Sequence, residues 1–454
     1  LNDNQNFRNG FDWTTDFKRT FPNSEREFSV AFQISDTNSE QENTIDQNGT
    51  TVDYQEDFLN LNDGLNREYT AQVDYVHPVG ENVKVETGVK SVIRRIDSDY
   101  STLTRLGDAP FQPIASQTDE FAYTQDVYAG YLSFTLKMGK RNSLVAGARY
   151  ERTTIGGEYE ENPVVPFTQE YDNILPSIIF SHQFPNFSNL KASYSQRIQR
   201  PSLFFINPFT QVGDPNNLTV GNPELDPEIV DQFELSYGAF VKGTSFNLAL
   251  FYRRTTDIIE GFVTVNPMTN VSETNYLNIG ENNSVGFNLF TSRKIGKIGT
   301  VRIGFNLFTY DAESTVEGID LSRTAVVWGG NAGGNVNLPR DWKFDFFGFA
   351  RSRRQTLQGE NPSFWLYGMG LRKEFNKRFS LGLRAVEPFN RTKNFPSEIE
   401  GDNFFQRSDF RIPFRSIGIS LRYNFGQLDF KGNRRGRGTK IKNDDQKDGG
   451  GGDF

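Results

Sequence analysis

Apolar and polar residues alternate with a period of two, repeatedly, along most of this chain. Phe28, Val30, Phe32 and Ile34 alternate with Ser29, Ala31 and Gln33, and Tyr69, Ala71, Val73 and Tyr75 with Thr70, Gln72 and Asp74. Phe246, Leu248, Leu250 and Tyr252 are separated by Asn247, Ala249 and Phe251. Val301, Ile303, Phe305 and Leu307 are separated by Arg302, Gly304 and Asn306, and Phe379, Leu381, Leu383 and Ala385 by Ser380, Gly382 and Arg384. Successive side chains of a strand point to opposite faces, so each run predicts a strand lying between two different environments.

The connections carry a second pattern. Short turns at Pro22–Glu25, Pro78–Glu81, Gly139–Asn142 and Lys242–Ser245 hold turn-forming residues. Long polar loops, near 36–64, 97–120, 156–170, 198–228, 256–281, 311–323, 352–362 and 387–410, alternate with them. About seventeen strands result, the first near 10–20 and the last near 411–425. Eight clean strands offer about 33 positions on the apolar face, where the chain's 23% charged content would place about seven charges by chance; none is there. A soluble core would exclude charge too, but several runs reach nine residues or more, the ~9–11 needed to cross a bilayer. The expected fold is therefore all-β: a transmembrane antiparallel barrel with long extracellular loops and short periplasmic turns, in contact with outer-membrane lipid.

Composition narrows the function classes. Mean hydropathy is −0.59, and no window approaches the ~18 apolar residues of a membrane helix, but a membrane strand needs only every second residue apolar. There is no Cys among 454 residues, which argues against disulfide scaffolds and Cys-based sites. A net charge of −8 gives no footprint for nucleic acid. The chain opens on Leu with no signal-peptide pattern, so an exported protein is expected to have a further N-terminal part. Tyr75, Tyr150, Tyr252, Trp342, Trp365, Tyr367 and Tyr423 lie towards strand ends, as interfacial girdles require. In the last strand Ile417, Ile419, Leu421, Tyr423 and Phe425 alternate with Gly418, Ser420, Arg422 and Asn424. Residues 1–425 are thus read as barrel. Residues 426–454, a basic stretch followed by Asp444, Asp445 and a Gly run, are read as a solvated, disordered periplasmic tail rather than a docking segment.

One stretch is more specific. Tyr194-Ser195-Gln196-Arg197-Ile198-Gln199-Arg200-Pro201-Ser202 is followed by Ile206-Asn207-Pro208-Phe209, then by Gly221-Asn222-Pro223-Glu224-Leu225-Asp226-Pro227-Glu228, and by Glu234 in the next strand. This resembles the barrel of TonB-dependent receptors, particularly the Bacteroidetes outer-membrane β-barrel family. Physically the motif reads as structural: the prolines fix φ and remove donors, routing a long loop back into a strand. Glu228 and Glu234 are expected to pair with Arg197 or Arg200. The resemblance implies a 22-stranded barrel with an N-terminal plug, so about seventeen strands would form its C-terminal portion; a complete smaller barrel is the alternative. It also implies a TonB complex reached through an N-terminal segment, the outer-membrane assembly machinery reading the terminal-strand signal at Tyr423 and Phe425, and a surface lipoprotein as partners.

No catalytic or metal constellation emerges, and no cofactor is expected. His77 and His182 lie beside turns, there is no phosphate loop or His-Glu-x-x-His, and acidic groups such as Glu158, Glu160 and Glu161 lack ligand-loop spacing. Phe111, Phe204, Phe205 and Phe209 are candidate apolar ligand contacts in loops, with loop self-packing as the alternative for each. The expected function, for a chain in the bacterial outer membrane, is a non-enzymatic, TonB-dependent receptor importing a scarce, bulky solute. A binding or assembly protein on the same scaffold without active transport is the second reading, and a soluble β-rich adhesin the third.

Overall fold

The structure is a computed structural model. It describes the chain except residues 1, 23, 47–55, 161–165, 208–210, 215–216, 317–318, 377, 402–403, 426–440, 442, 444 and 448–454. Among the described residues, seventeen strands form one antiparallel wall in chain order. They are β1 (Asn2–Thr20), β2 (Glu27–Ile45), β3 (Glu56–Val79), β4 (Val83–Leu106), β5 (Gln112–Met138) and β6 (Asn142–Tyr159). Next come β7 (Phe167–Gln183), β8 (Asn189–Pro201), β9 (Glu228–Val241), β10 (Thr244–Thr256), β11 (Glu281–Ile295) and β12 (Gly299–Val316). The wall ends with β13 (Ile319–Leu338), β14 (Trp342–Arg351), β15 (Phe364–Glu374), β16 (Phe379–Val386) and β17 (Ser416–Tyr423). Among the described residues, β1 pairs within the wall only with β2 and β17 only with β16, so each keeps a free edge.

The wall is apolar outside and polar inside. Tyr69 is 37% exposed while its neighbour Thr70 is fully buried; Leu250 is 49% exposed while Ala249 is buried. Ile417, Ile419 and Leu421 all stand exposed. Buried positions on the opposite face include Ser29, Arg94, Gln125, Glu151 and Thr153. A soluble sandwich would bury the apolar face instead, and an exposed apolar surface of this extent calls for a lipid solvent. Trp342 opens β14 just after the 338–342 turn, and Trp365 lies beside the 351–364 loop at the other end. Both are exposed, so indoles stand at the two rims of the outer surface.

The tall strands differ from the expected loops. Much of 36–64, 97–120, 156–170 and 311–323 continues the ladders rather than leaving them: β2 and β3 stay paired from Glu27–Val76 up to Ile45–Phe58, and β12 and β13 up to Val316–Ile319. β5 runs for 27 residues, far beyond what a bilayer requires. Above the membrane both faces meet water or polar side chains, so the period-two signal fades. Backbone donors and acceptors still need partners, and the ladder continues. The tail also departs from expectation. Gln446–Lys447 form a short parallel strand on β8, β18, and the described tail residues lie against the barrel's inner side chains. The remainder of 426–454 lies outside the described residues.

A charge placed on the outer face should therefore be costly. Leu250→Arg is expected to lower unfolding stability in liposomes by about 2–4 kcal/mol if it sits near the bilayer midplane. The lumen-face Asn306→Lys should cost substantially less, as urea unfolding followed by gel mobility would report.

Candidate functional site on the lumen wall

Three long loops fold together over one end of the wall. After Pro201 the chain makes a single helical turn, Leu203–Ile206, which buries Phe205 and Ile206. These pack with Tyr100 of β4, Phe121 and Tyr123 of β5, Ile155 of β6, Leu225 and Ile259. Strands Gln211–Asp214 and Asn217–Val220 from this loop join Ile259–Val265 and Ser272–Asn278 from the next in a four-stranded sheet. The 351–364 loop locks on through Gln358, which accepts from Val263 N (2.6 Å) and donates to Val263 O (3.0 Å). Thus the described residues of 201–228, with 256–281, form a folded cap. Burial within this cap pushes the Tyr276 phenol up to about 12.

The motif residues build the cap's joint. Gly221 N donates to Asn207 O at 2.9 Å, and Asn222 N to Phe205 O at 2.7 Å. A Cβ on Gly221 would stand 2.2 Å from Asn207 O, so only glycine permits this approach. Asn222 Nδ2 donates to Tyr276 O (2.9 Å), tying the two loops together, while Tyr159 OH donates to Asn207 Oδ1 (3.0 Å). Leu225, Pro227 and Glu228 are buried, and Glu228 accepts from Ile259 N at 2.8 Å. Phe205 is core of the cap, Phe204 is partly exposed against Tyr276, and Phe111 lies under the Arg105 guanidinium at 4.6 Å. Pro208 and Phe209 lie outside the described residues. On the outward face of the upper strand extensions, the face that carries Tyr69 and Tyr150 lower down, Asp63, Asp97, Asp99, Glu120, Glu158 and Glu160 border an open groove of about 610 Å³.

The expected ion pairs of Glu228 or Glu234 with Arg197 or Arg200 do not form. Glu228 stands opposite Gln199 and Glu234 opposite Ser193 in the β8–β9 register, which turns Arg200 to the other face of β8. Arg197 is exposed, and Glu234 accepts only a long bond from Gln232 (3.3 Å) among the bonds resolved for it.

Arg200 instead belongs to a buried charged cluster that the sequence reading missed. Its Nη2 donates to Glu151 Oε2 (2.5 Å) and its Nε to Thr153 Oγ1 (3.0 Å), both on β6. Arg94 on β4 donates to Glu68 Oε2 of β3 (2.6 Å) and Gln125 Oε1 of β5 (2.6 Å). Arg200 is fully buried and Arg94 only 3% exposed. Charges so deep persist only when paired and hydrogen-bonded. In the sequence Arg94 is one of many polar residues on the inward face of a long strand, while Arg200 shares its face of β8 with Tyr194 and Ile198, so alternation marks neither.

The tail completes this cluster. Asp445 accepts from Arg94 Nη2 (2.9 Å) and Nη1 (3.3 Å) and from Arg200 Nη1 (3.0 Å). Burial pushes its carboxyl up, but the bond to Arg94 and the charges of Arg94 and Arg200 outweigh that and hold it below the usual carboxylate range. The contact is thus complete at neutral pH and is lost as pH falls below the ordinary Asp value of about 3.9 and through the depressed one.

Removing Arg200 would leave Glu151 with Arg149 as its remaining cation. Arg200→Gln should then cost on the order of 3 kcal/mol of unfolding stability. The Arg200→Gln/Glu151→Gln double variant should lose less than the sum of the singles, a coupling readable in urea titrations of the refolded barrel.

The fold is that of known receptors and transporters. The ferric-catecholate import receptor Fiu from K12 E. coli is 13% identical and superposes with a TM-score of 0.64 over 90% of this chain and 63% of its own. The siderophore receptor PiuA from Acinetobacter baumannii is 12% identical, with a TM-score of 0.66 over 92% of this chain and 64% of that one. The copper transporter OprC is 12% identical, with a TM-score of 0.59 over 91% of this chain and 72% of that one. No curated protein is significantly similar in sequence. The outer membrane protein beta-barrel family matches residues 19–423. With its lipid-facing apolar surface, inward charge and loop cap, this chain is a bacterial outer-membrane β-barrel and belongs to that family.

Proposed function

We propose that the chain is the C-terminal barrel portion, residues 1–425, of a TonB-dependent receptor that imports a scarce, bulky solute across the outer membrane. The observation that carries this reading is the mouth. The described parts of the loops 201–228 and 256–281 fold over one end of the wall as a hydrogen-bonded cap packed on the inner faces of β4, β5 and β6. A barrel capped in this way suits capture and driven release better than free diffusion. The free edges of β1 and β17 fit a ring closed by further strands. Five more would make the twenty-two that the motif resemblance implies. A plug and a segment contacting the TonB complex would then complete the machine, with chemistry limited to binding and movement rather than catalysis.

The solved neighbours that handle iron chelates or copper make ferric catecholate and copper suitable first probes.

The test is uptake by cells expressing the full-length protein. Accumulation of a probe that depends on the protein and disappears when a protonophore collapses the proton gradient is the expected result. Protein-dependent capture that is unchanged by the protonophore would contradict energised import and leave a binding or assembly scaffold in its place.

A further inference from the structure

We propose that the upper edge of β8, with Arg94 and Arg200 beside it, is a peptide-docking slot inside the barrel, and that its occupant is the chain's own tail, through Asn443 and residues 445–447. Three independent features build the slot. The first is an open backbone edge. β7 and β8 pair only between Gln183–Asn189 and Ser177–Ser195. The next residue on β7 is Pro176, which has no N–H to donate, and the ladder stops there. β8 continues to Pro201 and is held by β9 on its other side as far as Gln199. Its upper edge on the β7 side is therefore free to accept a strand, the geometry of β-augmentation. Tail residues fill it: Gln446 and Lys447 pair in parallel with Arg200 and Pro201, and Arg200 N donates to Asp445 O at 2.8 Å.

The second feature is a carboxylate clamp. Arg94 and Arg200 come from strands far apart in sequence and converge on the single carboxylate of Asp445. Each guanidinium also has an acidic partner on the wall, Glu68 for Arg94 and Glu151 for Arg200, which fixes its orientation. A planar, multidentate donor pair of this kind suits a carboxylate better than a point charge would.

The third feature is side-chain matching on both sides of that aspartate. Asn443 Nδ2 donates to Glu68 Oε1 (2.6 Å) and Thr70 Oγ1 (2.8 Å). Gln446 Nε2 donates to Gln125 Oε1 (3.0 Å). Lys447 pairs with Glu228, donates to Ile259 O (2.6 Å) and lies 5.7 Å from the Phe205 ring. Lys447 thus reaches the cap, and the docked tail braces the cap against the wall. The four side chains Asn443, Asp445, Gln446 and Lys447 each meet a complementary group, so the slot reads a short sequence rather than charge alone.

Because the chain has no cysteine, a Thr70→Cys/Asn443→Cys pair gives a clean report when oxidised or bridged by a short bis-thiol reagent. The full-length protein would be used, extracted from outer membranes, with heat-modifiable gel mobility certifying a folded barrel. The expected result is efficient cross-linking that falls several-fold when Asp445→Asn is added. Asp445 follows the last wall strand, so that substitution should leave the barrel folded. Hydrogen exchange should also quicken in residues 201–228 of the Asp445→Asn variant, as the brace is lost. Absence of cross-linking in a folded barrel would overturn the proposal. So would cross-linking that is indifferent to Asp445→Asn, because the clamp would then not hold the tail. Neither readout depends on transport, so failure here is separable from failure of the import reading.

Discussion

A backbone crossing hydrocarbon has no water to pair with, so every N–H and C=O must find a partner within the protein. In this chain the partners come from neighbouring strands, and the whole architecture follows from satisfying them. Side chains alternate outward and inward, which sets lipid-facing Tyr69, Val73 and Leu250 against lumen-facing Thr70, Gln72 and Ala249. The same requirement explains the tall extensions above the membrane, where the ladders persist after hydrophobic alternation has ended.

Where a ladder fails, other groups take over. The separation of β7 from β8 above Ser177 leaves an edge of β8 in need of partners. It is met by the tail's backbone and by a cluster of paired charges around Arg94 and Arg200. The same departure lets the following loop fold over the mouth, with Phe205, Ile206 and Leu225 packed on aromatic residues of β4 and β5. The break in the wall, the buried charges and the cap are thus parts of one local solution.

How much of this was legible in the sequence depends on whether the two faces of a strand meet different solvents. Within the bilayer they do, and the strands starting near Phe28, Tyr69, Phe246 and Phe379 were readable from alternation alone, as was their number. Above it they do not, so the stretches 36–64 and 97–120 read as loops although most of their described residues form ladders. The motif around Asn207 and Gly221–Asn222 signalled a loop of fixed route, and those residues do meet at a joint no side chain larger than glycine would allow. Their proposed ion pairs failed because register, which periodicity does not set, turned Arg200 away from Glu228. The tail was least legible: a polar segment finds its place through partners distant in sequence, and composition alone describes it as solvated.

The central claim is that the alternating apolar face meets lipid, and residues 246–252 of β10 offer the most direct measurement. Single cysteines at Phe246, Asn247, Leu248, Ala249, Leu250, Phe251 and Tyr252 would each carry a fluorophore in the cysteine-free chain, reconstituted in vesicles. Quenching by a lipid-borne quencher should be strong at 246, 248, 250 and 252 and weak at 247, 249 and 251, with a water-soluble quencher showing the reverse. Uniform quenching along the strand, or lipid quenching confined to the odd positions, would contradict the inside-out wall on which the account rests.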